Sequence, residues 1–318
     1  MNVLILQLKR IGDLVLTTPV FRALKANGAT ITLIADGPCA SLLPALGVDE
    51  ALSFSRKGNN SAVWSRIRKG GWDVCLDFTG SDRSAFMGWL SRTPRRITFA
   101  WVCKRLLRRL AYHEFVDSPV RIAHTCDHHL DLLRPLGITD ADASPTLQLP
   151  PLPLPAEPYV LIHPGSARPE KYWLPERWSE VIAGLKARGL SAIITTGPDA
   201  FEQQHAAQIL GAPVVRPPDL LALAGLVKNA RLVVSCDTAV VHLAAAFSKP
   251  QIALFGPTNP FHWRPRHERA VVISAAQPES PMTRFLPKLH GAPTAKIPSA
   301  VVLQAAELLL ASSSADSF

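Results

Sequence analysis

The sequence of 318 residues contains no apolar run that approaches the ~20 residues needed to span a bilayer. Its start, MNVLILQLKRIGD, lacks the basic, then apolar, then small-residue order of a signal peptide. Only five cysteines occur, with no C-x-x-C pair, which argues against a disulfide framework and a cysteine zinc site. These absences, with 47% hydrophobic residues, predict a soluble cytoplasmic protein with reduced thiols.

Acidic residues are fewer than basic ones, 25 Asp and Glu against 34 Lys and Arg, which gives a formal net charge of +9 at pH 7. The excess is larger in residues 1–150, with 19 basic and 13 acidic residues, than in residues 151–318, with 15 and 12. This balance suits an anionic partner: a phosphorylated substrate, an acidic membrane surface or nucleic acid. Because no nucleic-acid-binding motif is recognisable, no nucleic-acid partner is predicted.

Short apolar runs alternate with helix-like stretches along almost the whole chain. The runs with strand character are residues 3–8, 30–35, 51–54, 74–78, 159–163, 192–196, 214–215, 231–235 and 251–255. The alternation predicts βαβ units on parallel sheets buried on both faces. Five prolines within residues 148–158 predict a linker between domain 1–150 and domain 151–318, with a ligand cleft between the two halves. The late amphipathic segment PSAVVLQAAELLLA is a helix that could pack back on the first domain.

The loop after the first predicted strand, K-R-I-G-D, holds one glycine and not the G-x-G-x-x-G of nicotinamide-binding folds. An NAD-dependent oxidoreductase is therefore disfavoured. The same loop carries Asp13, which has two interpretations. It is either a helix N-cap that satisfies a free backbone N–H, or a catalytic carboxylate at the mouth of a parallel strand, where open α/β sheets bind ligands.

The strongest ligand-binding pattern is VVSCDTAVVHLAAAF, in which a strand runs straight into Asp237 and Thr238 and a helix follows. Simple helix initiation is one interpretation, since Asp and Thr are good N-caps. The positive end of the helix dipole also makes this turn a seat for phosphate. Thr238 offers a hydroxyl there, Ala239 is small, and His242 lies one turn further on.

A second pattern, IHPGSARPEKYWLPERW, begins at the end of a predicted strand. Gly165 keeps the loop open, Ser166 offers a hydroxyl, and Lys171 can place an ammonium in the cleft. The alternative for Lys171 is a solvated surface lysine. Trp173 and Trp178 are predicted to serve in core or interdomain packing.

Three motifs follow one another along the chain: G-D-x-x-x-x-T-P, H-P-G-S…K-x-W-x-x-x-x-W and D-T-x-x-x-H-x-x-A-A…P…A-L-F-G-P-T. Together they resemble glycosyltransferase family 9, whose best-known members are the ADP-heptose:lipopolysaccharide heptosyltransferases. The resemblance implies a GT-B fold, with two Rossmann-like, doubly wound parallel-sheet domains facing across a cleft. The acceptor would bind the first domain and the nucleotide-sugar the second. It also implies an inverting transfer without an obligatory metal or other cofactor.

The resemblance also assigns roles to individual residues. Asp13 matches the general base and Lys171 the lysine near the donor phosphates. The donor-binding residues are Gly165, Ser166, Lys171, Asp237, Thr238, Ala239 and His242, and the acceptor-binding residues are Arg10, Gly12 and Asp13. This chain departs from the family pattern at Ala239, where glycine is usual, and in LALAGL (221–226), which lacks a glutamate found in some heptosyltransferases. Both departures bear on whether the donor sugar is a heptose.

The stretch SRTPRRITFAWVCKRLLRRL, residues 91–110, holds seven Lys and Arg and no acid. One interpretation is a solvated helix face whose arginines lie over apolar neighbours. The other is a surface for a phosphorylated glycolipid or for the anionic inner face of the cytoplasmic membrane. The residues of this predicted surface are Arg95, Arg96, Lys104, Arg105, Arg108 and Arg109.

Histidines and acids cluster in HTCDHHLDLLRPLGI, residues 124–138. His124 and His128 share a helix face, so a metal site is geometrically possible. The periodicity of the downstream leucines favours an ordinary amphipathic helix, and no metal is predicted.

The sequence thus predicts a monomeric, peripheral inverting glycosyltransferase. Its donor would be a nucleotide-sugar, with ADP-heptose favoured, and its acceptor a lipopolysaccharide-core or related surface glycan. The alternative is a nucleotide-sugar-binding or assembly protein of the same fold without turnover.

Overall fold

The computed structural model describes residues 1–153, 155 and 157–315. The chain divides into two compact units, Met1–Pro150 and Pro151–Phe318. The predicted linker includes residues 154 and 156, and the second predicted domain ends with residues 316–318. Those five positions lie outside the described residues.

The first unit is built on one six-stranded sheet. Its strands are β1 (Asn2–Gln7), β2 (Thr30–Asp36), β3 (Glu50–Phe54), β4 (Val74–Asp77), β5 (Arg95–Phe99) and β6 (Glu114–Val116). Its helices are α1 (Ile11–Val15), α2 (Thr18–Ala26), α3 (Ser61–Lys69), α4 (Asp82–Leu90), α5 (Leu106–Arg109) and α6 (Thr125–Asp131). All neighbouring strands pair in parallel, in the order β3-β2-β1-β4-β5-β6.

The second unit repeats this architecture. Its strands are β7 (Val160–His163), β8 (Ala192–Thr195), β9 (Val214–Val215), β10 (Leu232–Cys236), β11 (Gln251–Phe255) and β12 (Ala270–Ser274). Its helices are α7 (Pro175–Ala187), α8 (Ala200–Ala206), α9 (Leu220–Asn229), α10 (Ala239–Ala246) and α11 (Ser299–Ala315). The parallel order is β12-β11-β10-β7-β8-β9, which has the same connectivity as the sheet of the first unit.

Both sheets have the doubly wound order 3-2-1-4-5-6, so the winding direction reverses between the first and fourth strands of each unit. Ligands of open α/β sheets bind at the carboxyl ends of the strands beside this reversal. In the first unit the point lies between β1 and β4, where Leu6 is paired with Asp77. In the second it lies between β7 and β10, where His163 is paired with Ser235.

Apolar strands and helix faces form the core of each unit. Every residue of β1 after Asn2 is buried, and β10 and β11 are buried throughout, as expected of parallel strands covered on both faces. In the second unit the rings of Trp173 and Trp178 meet edge-to-face at 4.9 Å inside the core, which confirms their packing role.

The helix α11 packs against α7, β10 and β11 of its own unit. Its side chains Val302, Ala305 and Ala306 belong to the buried core of that unit. The helix therefore contributes these side chains to the core of the second unit, and its predicted packing on the first unit stays a prediction.

The doubly wound parallel α/β class is confirmed, and each run predicted as a strand is one. The strands β5, β6 and β12 were not predicted. The helix-face interpretation of residues 91–110 was wrong for residues 95–99, because RRITF is the strand β5. β12 was not predicted because no helix lies between residues 256 and 269. The βαβ alternation that identified the other strands is interrupted there.

Candidate active site

In the second unit, a buried ion pair joins the two strands at the winding reversal. The loop after β7 ends in a short 3-10 turn, Pro169–Lys171. Lys171 Nζ donates to Asp237 Oδ2 at 2.5 Å and to the Asp237 carbonyl oxygen at 3.2 Å. The two side chains are only 13% and 6% exposed. Lys171 is therefore not the solvated surface lysine of the alternative interpretation: it is fixed directly beyond β10.

The turn after β10 leaves donors available at the start of α10. Thr238 is the N-cap residue of this helix, but its side chain makes no capping hydrogen bond. Ala239 is the first helical residue, and both Thr238 and Ala239 are half-buried. The first N–H groups of a helix have no intrahelical acceptor and carry the positive end of its dipole. This turn can therefore accept an anion beside the Lys171 ammonium.

One turn into α10, His242 is buried beside the ion pair. Burial lowers its pKa to about 4; the charge of Asp237 opposes that shift and the charge of Lys171 adds to it. Within the described part of the chain, His242 Nδ1 has no hydrogen-bond partner. The imidazole is therefore neutral near pH 7, with one polar atom that a ligand could satisfy.

A carboxylate that the sequence analysis did not identify, Glu202, bonds to the loop after β8 and packs against the loop after β7. Glu202 Oε1 accepts the Gly197 N–H at 2.7 Å and lies 3.7 Å from His163 Nε2. A Cβ on Gly165 would lie 2.2 Å from the same oxygen, so a larger residue fits there only if Glu202 or the loop moves. Burial raises the pKa of Glu202. Glu202 thus packs against the loop that presents Ser166, whose Oγ accepts the Arg168 N–H at 3.3 Å.

A sequence signal for Glu202 exists but has a more ordinary meaning. Asp199 caps α8 by accepting the N–H groups of Phe201 and Glu202. An acid three residues after an N-cap is the usual capping-box spacing. Only the folded structure shows that this carboxylate bonds to the loop beyond β8 instead.

In the first unit, the helix α1 begins after a three-residue loop that follows β1, and it carries Asp13 in its first turn. Arg10, not Asp13, occupies the N-cap position. The Asp13 carboxyl lies in the first turn and hydrogen-bonds to the backbone at Arg10, so it makes a capping contact from inside the helix. Thr17 Oγ1 donates to the Asp13 carbonyl at 2.7 Å and accepts from Gln7 Nε2 at the same distance. Arg10 is exposed and Gly12 is half-buried in this turn. Arg10, Gly12 and Asp13 thus lie together at the mouth of β1.

The electrostatic environment of Asp13 is mixed. Burial raises the pKa of its carboxyl, while the charge of Lys9 and backbone hydrogen bonding at Arg10 lower it. Among the described residues, the carboxylate has no cation within ion-pair distance. A raised pKa makes a carboxylate a stronger base, which suits proton abstraction.

The histidine cluster follows on α6. His124 caps this helix through the Cys126 N–H, and His128 Nδ1 lies 2.7 Å from Ser118 Oγ. Burial lowers the pKa of His128 to about 4 and that of His129 well below its usual value, and the charge of Lys9 adds to both shifts. The predicted helix is present, and no group of three or more His, Cys, Asp or Glu side chains suited to a metal ion occurs in the described part of the chain.

Two arginines of the predicted basic surface are engaged within the fold. Arg95 pairs with Glu114 on the neighbouring strand, at 2.8 Å. Arg96 donates to the carbonyl oxygens of Thr93 and Ala111, both at 2.6 Å. These contacts explain how a strand can begin with two arginines.

The other four basic residues lie on and around α5. Arg108 donates to Asp82 Oδ1 at 2.6 Å and to the Gly80 carbonyl, and Arg105 is 3.8 Å from Asp82. Lys104 and Arg109 are exposed, and neither is ion-paired among the described residues. The structure thus separates a set of structural arginines from a set of exposed cations.

Comparison with known proteins identifies the class. The model of glycosyltransferase family 9 (heptosyltransferase) matches residues 61–290, more than half of the chain. The chain therefore belongs to this family and is a glycosyltransferase of the GT-B fold. The family resemblance inferred from the three motifs is confirmed.

Named relatives align over most of the chain. It is 26% identical to lipopolysaccharide heptosyltransferase 3 of Escherichia coli K12, covering 94% of this chain and 95% of that protein. It is 25% identical to lipopolysaccharide heptosyltransferase 1 of Pseudomonas aeruginosa, covering 82% and 80%.

Among solved structures, a family 9 glycosyltransferase from Veillonella parvula superposes with a TM-score of 0.81 at 21% identity, covering 98% of this chain and 97% of that one. ADP-heptose lps heptosyltransferase II of E. coli gives 0.80 at 20% identity, covering 99% and 100%. These likenesses establish the fold. Among the described residues, no helix is long and apolar enough to cross a membrane.

Proposed function

We propose that this glycosyltransferase moves a heptose from ADP-heptose to a lipopolysaccharide-core acceptor, with inversion at the anomeric carbon. The relatives named above support the sugar and the pathway, since two are lipopolysaccharide heptosyltransferases and one solved structure is an ADP-heptose enzyme. The observation that carries the donor half of the proposal is the Lys171–Asp237 ion pair beside the start of α10.

The donor diphosphate binds, in this proposal, at the carboxyl edge of the second sheet. Its charge grows as the bond to the sugar breaks, and fixed positive groups lower the energy of that state. The ammonium of Lys171 and the free N–H groups at Thr238 and Ala239 supply such groups. Asp237 keeps the ammonium in place before the substrate arrives, and neutral His242 offers Nδ1 as a further polar contact.

The acceptor binds at the carboxyl edge of the first sheet, with Asp13 as general base beside Arg10 and Gly12. The Asp13 carboxylate takes the proton of the attacking hydroxyl, whose oxygen forms a bond to the anomeric carbon. The carbon–oxygen bond to the diphosphate breaks, and its electron pair leaves with ADP. General-base catalysis contributes ~10²–10⁴-fold in rate.

Lys171 and the N-terminus of α10 supply the positive charge that a divalent cation would otherwise provide, so we propose that the transfer needs no metal. The rate should stay within about twofold after extensive chelation with EDTA, a change too small to represent loss of a catalytic ion. A loss of activity that Mg²⁺ or Mn²⁺ restores would contradict this part of the proposal.

The central experiment replaces Asp13 by Asn, which keeps the shape of the side chain but removes the base. We expect kcat to fall by roughly 10²–10⁴-fold while the Kd for ADP-heptose changes less than about twofold. The matched control is Asp36→Asn, which removes a carboxylate from the end of the adjacent strand β2. Equal losses in the two variants would refute a base role for Asp13.

The donor class is tested by ligand-induced stabilisation. A ligand at 100 times its Kd raises the free energy of unfolding by ~2.7 kcal/mol. We expect a shift in Tm with ADP-heptose and smaller shifts with UDP-, GDP- and dTDP-linked sugars. A preference for another nucleotide would redirect the proposal to a different sugar donor, a result that Ala239 and the acid-free LALAGL stretch make worth testing.

A further inference from the structure

A groove of about 370 Å³ lies on the first unit between α4 and α5. Phe86 and Trp89 of α4 line the groove, together with Leu107 of α5 and Leu110, which directly follows α5. The rings of Phe86 and Trp89 are stacked at 5.9 Å. We call the groove with the adjoining Leu106 the α4–α5 surface.

The side chains of this surface are unusually exposed for their chemistry. Leu107 is 83% exposed, Leu106 70%, Leu110 69% and Trp89 57%. Single exposed leucines are ordinary, but large contiguous apolar patches on proteins mark sites of protein or membrane interaction. The concentration of exposed apolar side chains on one short helix therefore calls for a binding partner.

The charge around the α4–α5 surface identifies the partner chemistry. Residues 91–110 contain seven Lys and Arg and no acid. The one acid that lines the groove, Asp82, is neutralised by Arg108 at 2.6 Å and approached by Arg105 at 3.8 Å. The exposed Lys104 and Arg109 remain without an ion-pair partner in the described part of the chain.

We propose that the α4–α5 surface docks on an anionic lipid bilayer. The leucines of α5 enter the interfacial layer, Trp89 and Phe86 lie at headgroup depth, and Lys104 and Arg109 contact lipid phosphates. Stable attachment to a membrane needs two signals, and apolar insertion combined with basic residues is one such pair. Each Lys or Arg near an anionic leaflet adds to the attraction, and aromatic rings favour the interface.

A bilayer fits this surface better than a protein partner does. Lysine is depleted in protein interfaces, where unpaired charge must lose its water. At a bilayer the leucines leave water while Lys104 and Arg109 stay hydrated among phosphates. Docking concerns a part of the first unit that the proposed chemistry does not use, so it can fail or hold independently of the proposed function.

The test measures binding of the full chain to vesicles of phosphatidylcholine with 30 mol% phosphatidylglycerol, and to vesicles of phosphatidylcholine alone. We expect anionic vesicles to bind at least about tenfold better, and the difference to shrink as salt is raised from 0.1 to 1 M. The double substitution Leu107→Ser/Leu110→Ser should lower the partition coefficient about tenfold or more. The control Leu210→Ser removes an equally exposed leucine, 71% exposed, from the second unit.

The charge contribution has its own matched pair. Lys104→Glu/Arg109→Glu should abolish the preference for anionic vesicles. Lys186→Glu/Lys228→Glu changes the net charge equally at exposed positions of α7 and α9 and should leave the preference within about twofold. The substituted side chains are exposed, and an unchanged Tm would show that each variant is folded.

Insertion depth is read from tryptophan fluorescence. Lipids brominated on the acyl chain should quench the emission of the bound protein, and Trp89→Phe should remove most of that quenching. Wild-type binding by the leucine variant, or equal effects of the two charge variants, would overturn the proposal. So would an absence of vesicle binding, or a dimer that the leucine substitutions dissociate.

Discussion

The two units have the same strand order but differ in the charged groups at the point where the winding reverses. At the reversal in the first unit, Asp13 is a partly buried carboxylate with no ion-pair partner among the described residues, and burial raises its pKa. At the reversal in the second unit, Lys171 and Asp237 form a buried pair at 2.5 Å. An unpaired carboxylate is suited to take a proton, and a held ammonium is suited to meet an anion.

The comparison teaches that connectivity fixes where a site forms and side chains fix what it does. Both reversals bring two strand ends together and leave the edge open to ligand. In the first unit the strand ends are tied by the Leu8 N–H bonding to Thr79 Oγ1 at 2.7 Å. In the second they are tied through an ion pair. The Leu8–Thr79 hydrogen bond joins the strand ends of the first unit without using the Asp13 carboxylate, which stays available for proton transfer. The Lys171–Asp237 ion pair of the second unit instead holds an ammonium in position for binding an anion.

The largest effect on the difference between the two units is expected from Lys171→Met, which removes the ammonium of the Lys171–Asp237 pair. We expect kcat/KM to fall about 10²–10³-fold and ADP affinity to weaken, because the diphosphate loses its fixed charge. Asp13→Asn should leave ADP affinity unchanged, so the two variants should separate binding from chemistry. Lys186→Met, an exposed lysine of α7, is the control. Equal ADP affinity in Lys171→Met and Lys186→Met would contradict the assignment.

The loop support of the second unit is tested by Gly165→Ala. The added Cβ would lie 2.2 Å from Glu202 Oε1, so the loop or the carboxylate must move. We expect about 1–3 kcal/mol of lost stability with weaker donor binding, measured by denaturant unfolding and ligand titration. Glu202→Ala in the same chain should recover part of the loss. Gly88→Ala, whose Cβ meets Cys75 Sγ at 3.7 Å, is the control and should not destabilise.

The substitution Lys9→Met tests how a neighbouring charge affects the Asp13 carboxyl of the first unit. The Lys9 charge lowers the pKa of Asp13, so its removal should raise that pKa and move the acid limb of kcat/KM to higher pH. We expect a shift of roughly half a pH unit to one unit. Lys57→Met, at an exposed position, should leave the profile in place. A shift toward lower pH in Lys9→Met would show that the limb does not report Asp13.

A further effect, outside both proposed sites, concerns the half-buried residue His267. Burial, with the charge of Arg269, lowers its pKa to about 4, while the unfolded chain binds a proton near pH 6.5. Its contribution to stability is therefore present above pH 6.5 and lost as pH falls toward 4, on the order of 3 kcal/mol. His267→Gln should flatten the dependence of the free energy of unfolding on pH in that window. An unchanged slope would contradict this linkage.

Prediction from the sequence succeeded where a local pattern has one physical cause. Apolar runs such as 231–235 and 251–255 are strands because parallel strands are buried on both faces. Prediction failed for RRITF, because its two arginines made a buried strand appear improbable. The segment is a strand because Glu114 and backbone carbonyls satisfy the two guanidinium groups. Thr93 lies three residues from Arg96, but Ala111 and Glu114 lie 15 and 19 residues from the arginines that they bind.

The sequence by itself determined the doubly wound class, the family and the turns that carry Asp13, Lys171 and Asp237, because periodicity and motif spacing are local properties of the chain. Only the tertiary structure decided that Lys171 is bonded to Asp237, 66 residues away, and that Glu202 packs against Gly165. It also decided which basic side chains of residues 91–110 are structural and which are exposed. Hydrogen-bond partners and burial depend on which segments meet in space, and no local pattern of residues encodes those meetings.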